Sequence, residues 1–201
     1  MRLTASELAC HRGGRDVFAG VNFTVESGAA LTISGRNGAG KSSLLRTIIG
    51  LVRPAAGRLA LEEGDPELSI AEQAHYLGHQ DALKSALSVA ENLAFWTGYF
   101  GAPAFDVGKP LDAVGLAGLA ALPAAYLSAG QRRRLSIARL IAVPRPIWLL
   151  DEPASTLDAA AQVRLTDLMK SHLAGGGLIV AAAHGSIGLD KAQELRLGQA
   201  A

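Results

Sequence analysis

The residues Gly35-Arg36-Asn37-Gly38-Ala39-Gly40-Lys41-Ser42 fit the pattern G-x-x-x-x-G-K-[ST], a loop suited to holding phosphate. Its glycines let successive backbone N–H groups turn inward around an anion. A helix starting at the end of the loop adds the partial positive charge of its N-terminus. Lys41 can then reach terminal phosphates, and Ser42 can hold a Mg²⁺ ion. The pattern carries weight only in the right flanks. The apolar run Ala30-Leu31-Thr32-Ile33-Ser34 before it reads as a buried strand, and Ser43 to Ile49 after it reads as a helix. A nucleotide is the expected ligand.

Two further segments carry chemistry. Pro146-Ile147-Trp148-Leu149-Leu150-Asp151-Glu152 is a short apolar run ending in two carboxylates, and it reads as a buried strand. In phosphate-loop enzymes a strand ending in Asp sets that carboxylate beside the Mg²⁺ site. The adjacent Glu152 can polarise an attacking water. Between the two lies Leu127-Ser128-Ala129-Gly130-Gln131, followed by Arg132-Arg133-Arg134-Leu135-Ser136-Ile137-Ala138-Arg139-Leu140. Its apolar spacing against three adjacent arginines predicts an amphipathic helix. The small residues at its start leave backbone N–H groups for a second anion. A capped surface helix with solvated arginines accounts for that segment equally well.

Taken together, these segments resemble the ATP-binding subunits of ABC transporters over nearly the whole chain. Lys41 stands in the Walker A match and Asp151-Glu152 in the Walker B match. Leu127 to Gln131 resembles the LSGGQ signature, with Ala129 where Gly is usual. Gln80 stands at the Q-loop position, Ser155-Thr156-Leu157-Asp158 at the D-loop, and His184 at the switch histidine after Leu178 to Ala183. The resemblance implies an α/β fold: a P-loop NTPase core with an N-terminal antiparallel β subdomain and a helical insert carrying the signature. It implies one ATP-binding domain over 1–201, with the insert at about 84–142. Gly35, Arg36, Asn37, Gly38, Ala39, Gly40, Lys41, Ser42 and Ser43 would hold the phosphates of ATP. Ser42, Asp151 and Gln80 would complete the Mg²⁺ shell, while Glu152 orients water and His184 contacts the γ-phosphate. Ser128, Ala129, Gly130 and Gln131 of a second ATP-binding subunit would close over the same nucleotide, so a homodimer is implied.

The stretch Tyr76 to Lys84, Ala90 to Leu93, the Leu-Ser-Ala-Gly-Gln spelling and Cys10 look like the haem-exporter ATP-binding subunits of cytochrome c maturation. Other small ABC exporters share some of these features. An ABC-type ATPase acting on nucleic acid or ribosomes would use the same motifs, but such proteins usually carry coiled coils, zinc modules or paired ATPase units. None is legible here. Many ABC subunits stack an aromatic residue on adenine; here that position falls near Arg12, whose flat guanidinium could substitute. After His184 stands Gly185, where an acidic residue is common.

Length and composition suit one compact domain: 201 residues can bury a core without staples. A formal net charge of +1 provides no field for nucleic acid or anionic lipid, so no nucleic-acid partner is expected. The single cysteine, Cys10, excludes an internal disulfide and reads as an inert, part-buried thiol. No signal peptide and no membrane-spanning run are legible. The transporter resemblance therefore implies membrane-spanning permease subunits as partners, with this chain peripheral at the cytoplasmic face of the inner membrane.

Several elements are expected from pattern alone. Residues 1 to about 34 read as antiparallel strands, 53–57 as a turn and 58–61 as a strand. A helix is expected from Asp158 to about Leu173, then a Gly175-Gly176-Gly177 turn and the strand before His184. Phe95, Trp96, Tyr99, Phe100 and Phe105 crowd one short segment. Val89, Leu93, Trp96 and Phe100 form one helical stripe, expected to be core. Phe95 and Tyr99 fall off it, near Ser88, Glu91 and Asn92, and with the loop Gln80 to Lys84 could line a groove for a membrane subunit. Packing of both rings within the insert is the competing expectation.

Overall fold

Alternation of apolar and polar residues over the first two dozen positions builds a long hairpin, visible in a computed structural model that describes residues 1–101, 106–185 and 187–198. The elements are β1 (Arg2–Arg12), β2 (Arg15–Glu26), β3 (Ala30–Ser34), α1 (Lys41–Ile48), β4 (Ala56–Glu62), β5 (Ala74–Leu77), α2 (Val89–Tyr99), α3 (Gly108–Ala113), α4 (Ala129–Ala142), β6 (Ile147–Asp151), α5 (Ala159–Ala174), β7 (Leu178–Ala182) and β8 (Gln193–Arg196). They fall into two compact units. One comprises 1–78, 145–153 and 169–201; the other comprises 79–144 and 154–168.

The first unit holds both sheets. β2-β1-β4 is antiparallel, and β5-β6-β7-β3-β8 is parallel throughout. Gly13 and Gly14, with φ of 57° and 75°, make the tight turn between β1 and β2. Leu3, Leu8 and Cys10 point inward from β1 and join Leu31, Ile33, Leu44, Leu45 and Ile48 in the core. Cys10 is fully buried there, not part-buried as its sequence position suggests. β3 corrects the expectation of antiparallel strands up to residue 34: it pairs in parallel with β7 and β8. Its mostly apolar run is what a strand inside a parallel sheet needs. β4 begins at Ala56, inside the expected turn and two residues before the expected strand.

β5 and β8 were not anticipated from the sequence. β8 is short, polar and largely exposed at a sheet edge, so it carries no hydrophobic pattern. Behind β6, Trp148 stacks on His172 with centroids 4.0 Å apart and planes 12° from parallel. Burial lowers the His172 pKa, against hydrogen bonding to the Leu178 and Pro146 carbonyls.

The second unit is helical. Ser88 caps α2 through a reciprocal box with Glu91, and Ser128 caps α4 through a box with Gln131. Val89 and Leu93 of the expected stripe are fully buried, while Trp96 and Phe100 are half-buried. Asn92 does not belong to a polar flank: it is fully buried, because its amide serves the loop before α2. Arg133 likewise departs from the amphipathic expectation for α4. It is 3 % exposed and pairs with Asp81. Phe105 lies outside the described residues.

Candidate functional site

The strand β3 runs into the phosphate loop, and α1 begins at Lys41 with Gly40 at its cap in the left-handed region, φ 99°. No side chain caps this helix, which leaves its first N–H groups to the loop's concave side. A Cβ at Gly40 would lie 2.7 Å from the Val17 side chain, and one at Gly35 would lie 2.6 Å from the Leu197 carbonyl oxygen. Glycine is therefore required at both positions by close approach as well as by conformation.

A cleft of about 630 Å³ opens over the loop. Asn37, Gly38, Gly40, Lys41, Ser42 and Ser43 form its floor, Asp151, Glu152 and His184 one wall, and Arg12, Gly13 and Val17 another. Lys41 Nζ donates to the Gly35 carbonyl at 2.9 Å and lies 3.5 Å from His184 Nε2. Ser42 Oγ donates to Asp151 Oδ1 at 3.0 Å. His184 Nε2 lies 3.4 Å from Glu152 Oε1. β6 and β7 are neighbours in register, Asp151 opposite Ala182, and that pairing brings the carboxylates and the histidine to one strand edge.

Glu152 follows the last residue of β6 with φ 47°, a rare conformation for a residue with a side chain. Its N–H stays bonded to the Ala182 carbonyl at 2.9 Å. The turn thus re-aims the Glu152 carboxylate into the cleft while the backbone remains tied to β7. Asp151 is 3 % exposed. A serine hydroxyl and a buried carboxylate at 3.0 Å are the hard oxygen donors that suit Mg²⁺, so the residues fit that ion.

A pair near Asp151, outside the cleft lining, was not anticipated from the sequence. Arg46 Nε donates to the Tyr76 hydroxyl at 3.4 Å. Burial, first of all, raises the Tyr76 pKa; the Arg46 hydrogen bond opposes this and the nearby Asp151 charge adds to it. Val17 is a second unanticipated residue, placed in the cleft by the β1–β2 turn. Neither Arg46 nor Val17 belongs to a motif, and Tyr76 enters the sequence reading only through the resemblance of its stretch. Arg12 does line the cleft, on the wall away from the carboxylates.

The signature residues and Gln80 belong to the second unit. Ser128 Oγ accepts the Gln131 N–H at 3.2 Å, and Gln131 Oε1 accepts the Ser128 N–H at 2.8 Å. The hydroxyl proton of Ser128 is left for another acceptor. Gln131 holds the serine in place by closing the box. Gly130 lies against the D-loop: a Cβ there would be 2.9 Å from the Thr156 carbonyl oxygen. Ala129 opens α4 beside them.

Residues 18–155 match the protein family described as ABC transporter. The chain belongs to that family. It is 58 % identical over 201 residues, all of both chains, to the cytochrome c biogenesis ATP-binding export protein CcmA of Rhodopseudomonas palustris (strain BisB5). The protein of the same name from Brucella abortus (strain 2308) is 50 % identical over 192 residues, 96 % of this chain and 89 % of that one. The chain therefore stands among the CcmA-type members. A solved structure titled "Structure of ATP binding subunit of ABC transporter" superposes with a TM-score of 0.83 at 25 % identity, covering 92 % of this chain and 80 % of the other. A putative ABC transporter ATP-binding protein from Pyrococcus furiosus shares the fold, with a TM-score of 0.85 over 98 % of both chains at 21 % identity. The α/β ABC ATPase fold and ATPase activity follow from this membership.

Proposed function

We propose that this ABC ATPase is the motor subunit of a haem exporter in cytochrome c maturation, working as a nucleotide-sandwich dimer on membrane-spanning permease partners. The single observation that carries the hydrolytic part is the cleft that gathers Lys41, Ser42, Asp151, Glu152 and His184 over one glycine-rich loop. The likeness to proteins named for cytochrome c biogenesis and export supports the choice of pathway.

In this reading the loop from Gly35 to Ser43 seats the phosphates of ATP, and Lys41 leaves the Gly35 carbonyl to meet them. Ser42, Asp151 and Gln80 would hold Mg²⁺, which when bound offsets charge on the phosphate oxygens. Glu152 accepts a proton from the attacking water, and His184 steadies the γ-phosphate. Ser128 and Gly130 of the partner subunit complete the site, so closure depends on ATP and hydrolysis releases it. Both units of the chain then form one ATP-binding domain.

Among the described residues no helix is long and apolar enough to cross a membrane. Attachment at the cytoplasmic face of the inner membrane would run through the permease. Glu152→Gln tests the chemistry. The amide keeps shape and loses basicity, so ATP binding should persist while turnover falls at least ~10²-fold, the scale of a lost general base. Turnover near wild type in a steady-state phosphate-release assay would assign the water to another residue.

A further inference from the structure

The segment after Gln80 is tied through Asp81 to one face of α4 and through Ala82 and Lys84 to α2. Arg133 Nη1 donates to Asp81 Oδ1 at 3.4 Å, and Ser136 Oγ donates to the Asp81 carbonyl at 2.7 Å. Both α4 side chains are buried, Arg133 at 3 % exposure and Ser136 at 0 %. Arg139, the next residue on this face, lies with its guanidinium 4.6 Å from the Trp96 ring centroid. Trp96 Nε1 in turn donates to the Ala82 carbonyl at 3.1 Å. Ala82 itself is left-handed, φ 54°, a conformation that surrounding contacts must impose. From α2, Asn92 receives the Lys84 N–H at 2.8 Å and donates back to the Lys84 carbonyl at 3.0 Å.

Positions 133, 136 and 139 recur every third residue, so one helical face addresses the loop. That helix is the one whose cap is Ser128. We infer that Arg133 is a positioning residue for the ATPase reaction: its pairing with Asp81 makes Gln80 and the signature serine parts of one rigid lever. This rests on the reading of Gln80 and Ser128 as nucleotide-contacting residues. A buried, half-screened charge pair suits such a role because it has a single good geometry, and placement errors of about 1 Å can cost on the order of 10²-fold in rate.

The test is a set of full-length variants in which kcat, KM for ATP and the thermal midpoint are measured together. Arg133→Met and Asp81→Asn should each lower kcat ~10-fold with little change in KM. Combining them removes the charge of both partners and should recover part of the midpoint, while Arg139 keeps its buried charge and loses the Asp81 carboxylate that faces it. The tether is still absent, so kcat should stay as low as in either single variant. Arg133→Lys with Asp81→Glu shortens one arm and lengthens the other, and should recover most of kcat. A merely structural role predicts the reverse pattern: kcat follows the midpoint and returns in the Met–Asn combination, which would overturn the inference. So would single effects that multiply. Gln80→Ala separates the two levels. If it slows turnover while the Arg133 and Asp81 variants do not, the tether alone is wrong; if it leaves kcat untouched, the role of Gln80 fails and the tether with it.

Discussion

At the scale of single residues, the cleft divides into a conserving half and a permissive half. Gly35, Gly40, Lys41 and Asp151 are fixed by close approach, hydrogen bonding and burial, so almost any replacement disturbs the phosphate end. Arg12 and Val17 sit on the other wall, on a hairpin turn. In the proposed reading the base would meet a guanidinium and an apolar side chain in place of an aromatic plate. Discrimination between ATP and GTP should be modest, and Arg12→Ala should weaken both by no more than ~1–2 kcal/mol, the scale of a stacking or cation–π contact. Equilibrium titration with fluorescent nucleotides measures this. A strong ATP preference that survives Arg12→Ala would place base reading elsewhere.

Elements add constraints that no single residue carries. The capping box at the head of α4 fixes Ser128 by two reciprocal bonds, which presents its hydroxyl without mobility. Ser128→Arg should abolish hydrolysis and leave the ATP affinity of dilute monomer largely intact, since the serine would serve nucleotide on the partner. Lys41→Ala should do the opposite and weaken binding itself. Loss of monomer affinity in the Ser128 variant would contradict a composite site. The last turn of α5 makes a different prediction. His172 stacks on Trp148 and is held below its ordinary pKa of 6.5 by burial. The unfolded chain then takes up a proton before the folded one does, so stability is full above about pH 6.5 and declines as pH falls below it. His172→Phe retains the stack and should flatten that part of the stability curve. An unchanged pH dependence of stability in chemical denaturation between about pH 5 and 7, roughly the titration range of an imidazole, would remove His172 as its source.

At the scale of the whole molecule, no helix among the described residues is long and apolar enough to cross a membrane, and in the proposed reading a permease subunit would recruit the chain by contact. Phe95 and Tyr99 would offer such a contact. They are 40 % and 69 % exposed and stack with centroids 6.5 Å apart. Lys84 Nζ lies 4.6 Å from the Phe95 ring centroid. Aromatic side chains are enriched at protein interfaces. Phe95→Ala combined with Tyr99→Ala should leave the chain folded and able to bind ATP, yet unable to co-purify with its permease. Assembly at normal stoichiometry would move the docking surface, and unfolding would return both rings to the core of the insert.

Much of this protein was legible in the sequence because its chemistry is carried by short strand–loop–helix and strand–turn segments. Spacing of glycine, lysine and serine around Lys41, and an apolar run ending at Asp151-Glu152, declare their local geometry without any partner. The start of the signature helix at Ser128 was equally local, whereas the cap at Ser88 came only with the structure. What the tertiary structure alone decided is which segments meet. Ser42 reaches Asp151 across 109 positions and Lys41 approaches His184 across 143, because β3, β7 and β6 are consecutive in one parallel sheet. That order follows from competition to bury apolar strands on both faces, a global matter that no window of sequence contains. The same holds for Arg133, for which the sequence left a solvated arginine as one of two readings and which is buried against Asp81, and for Asn92, polar by type but interior by function. A charge or amide can sit inside only where a distant partner satisfies it, and the fold, not the residue, supplies that partner.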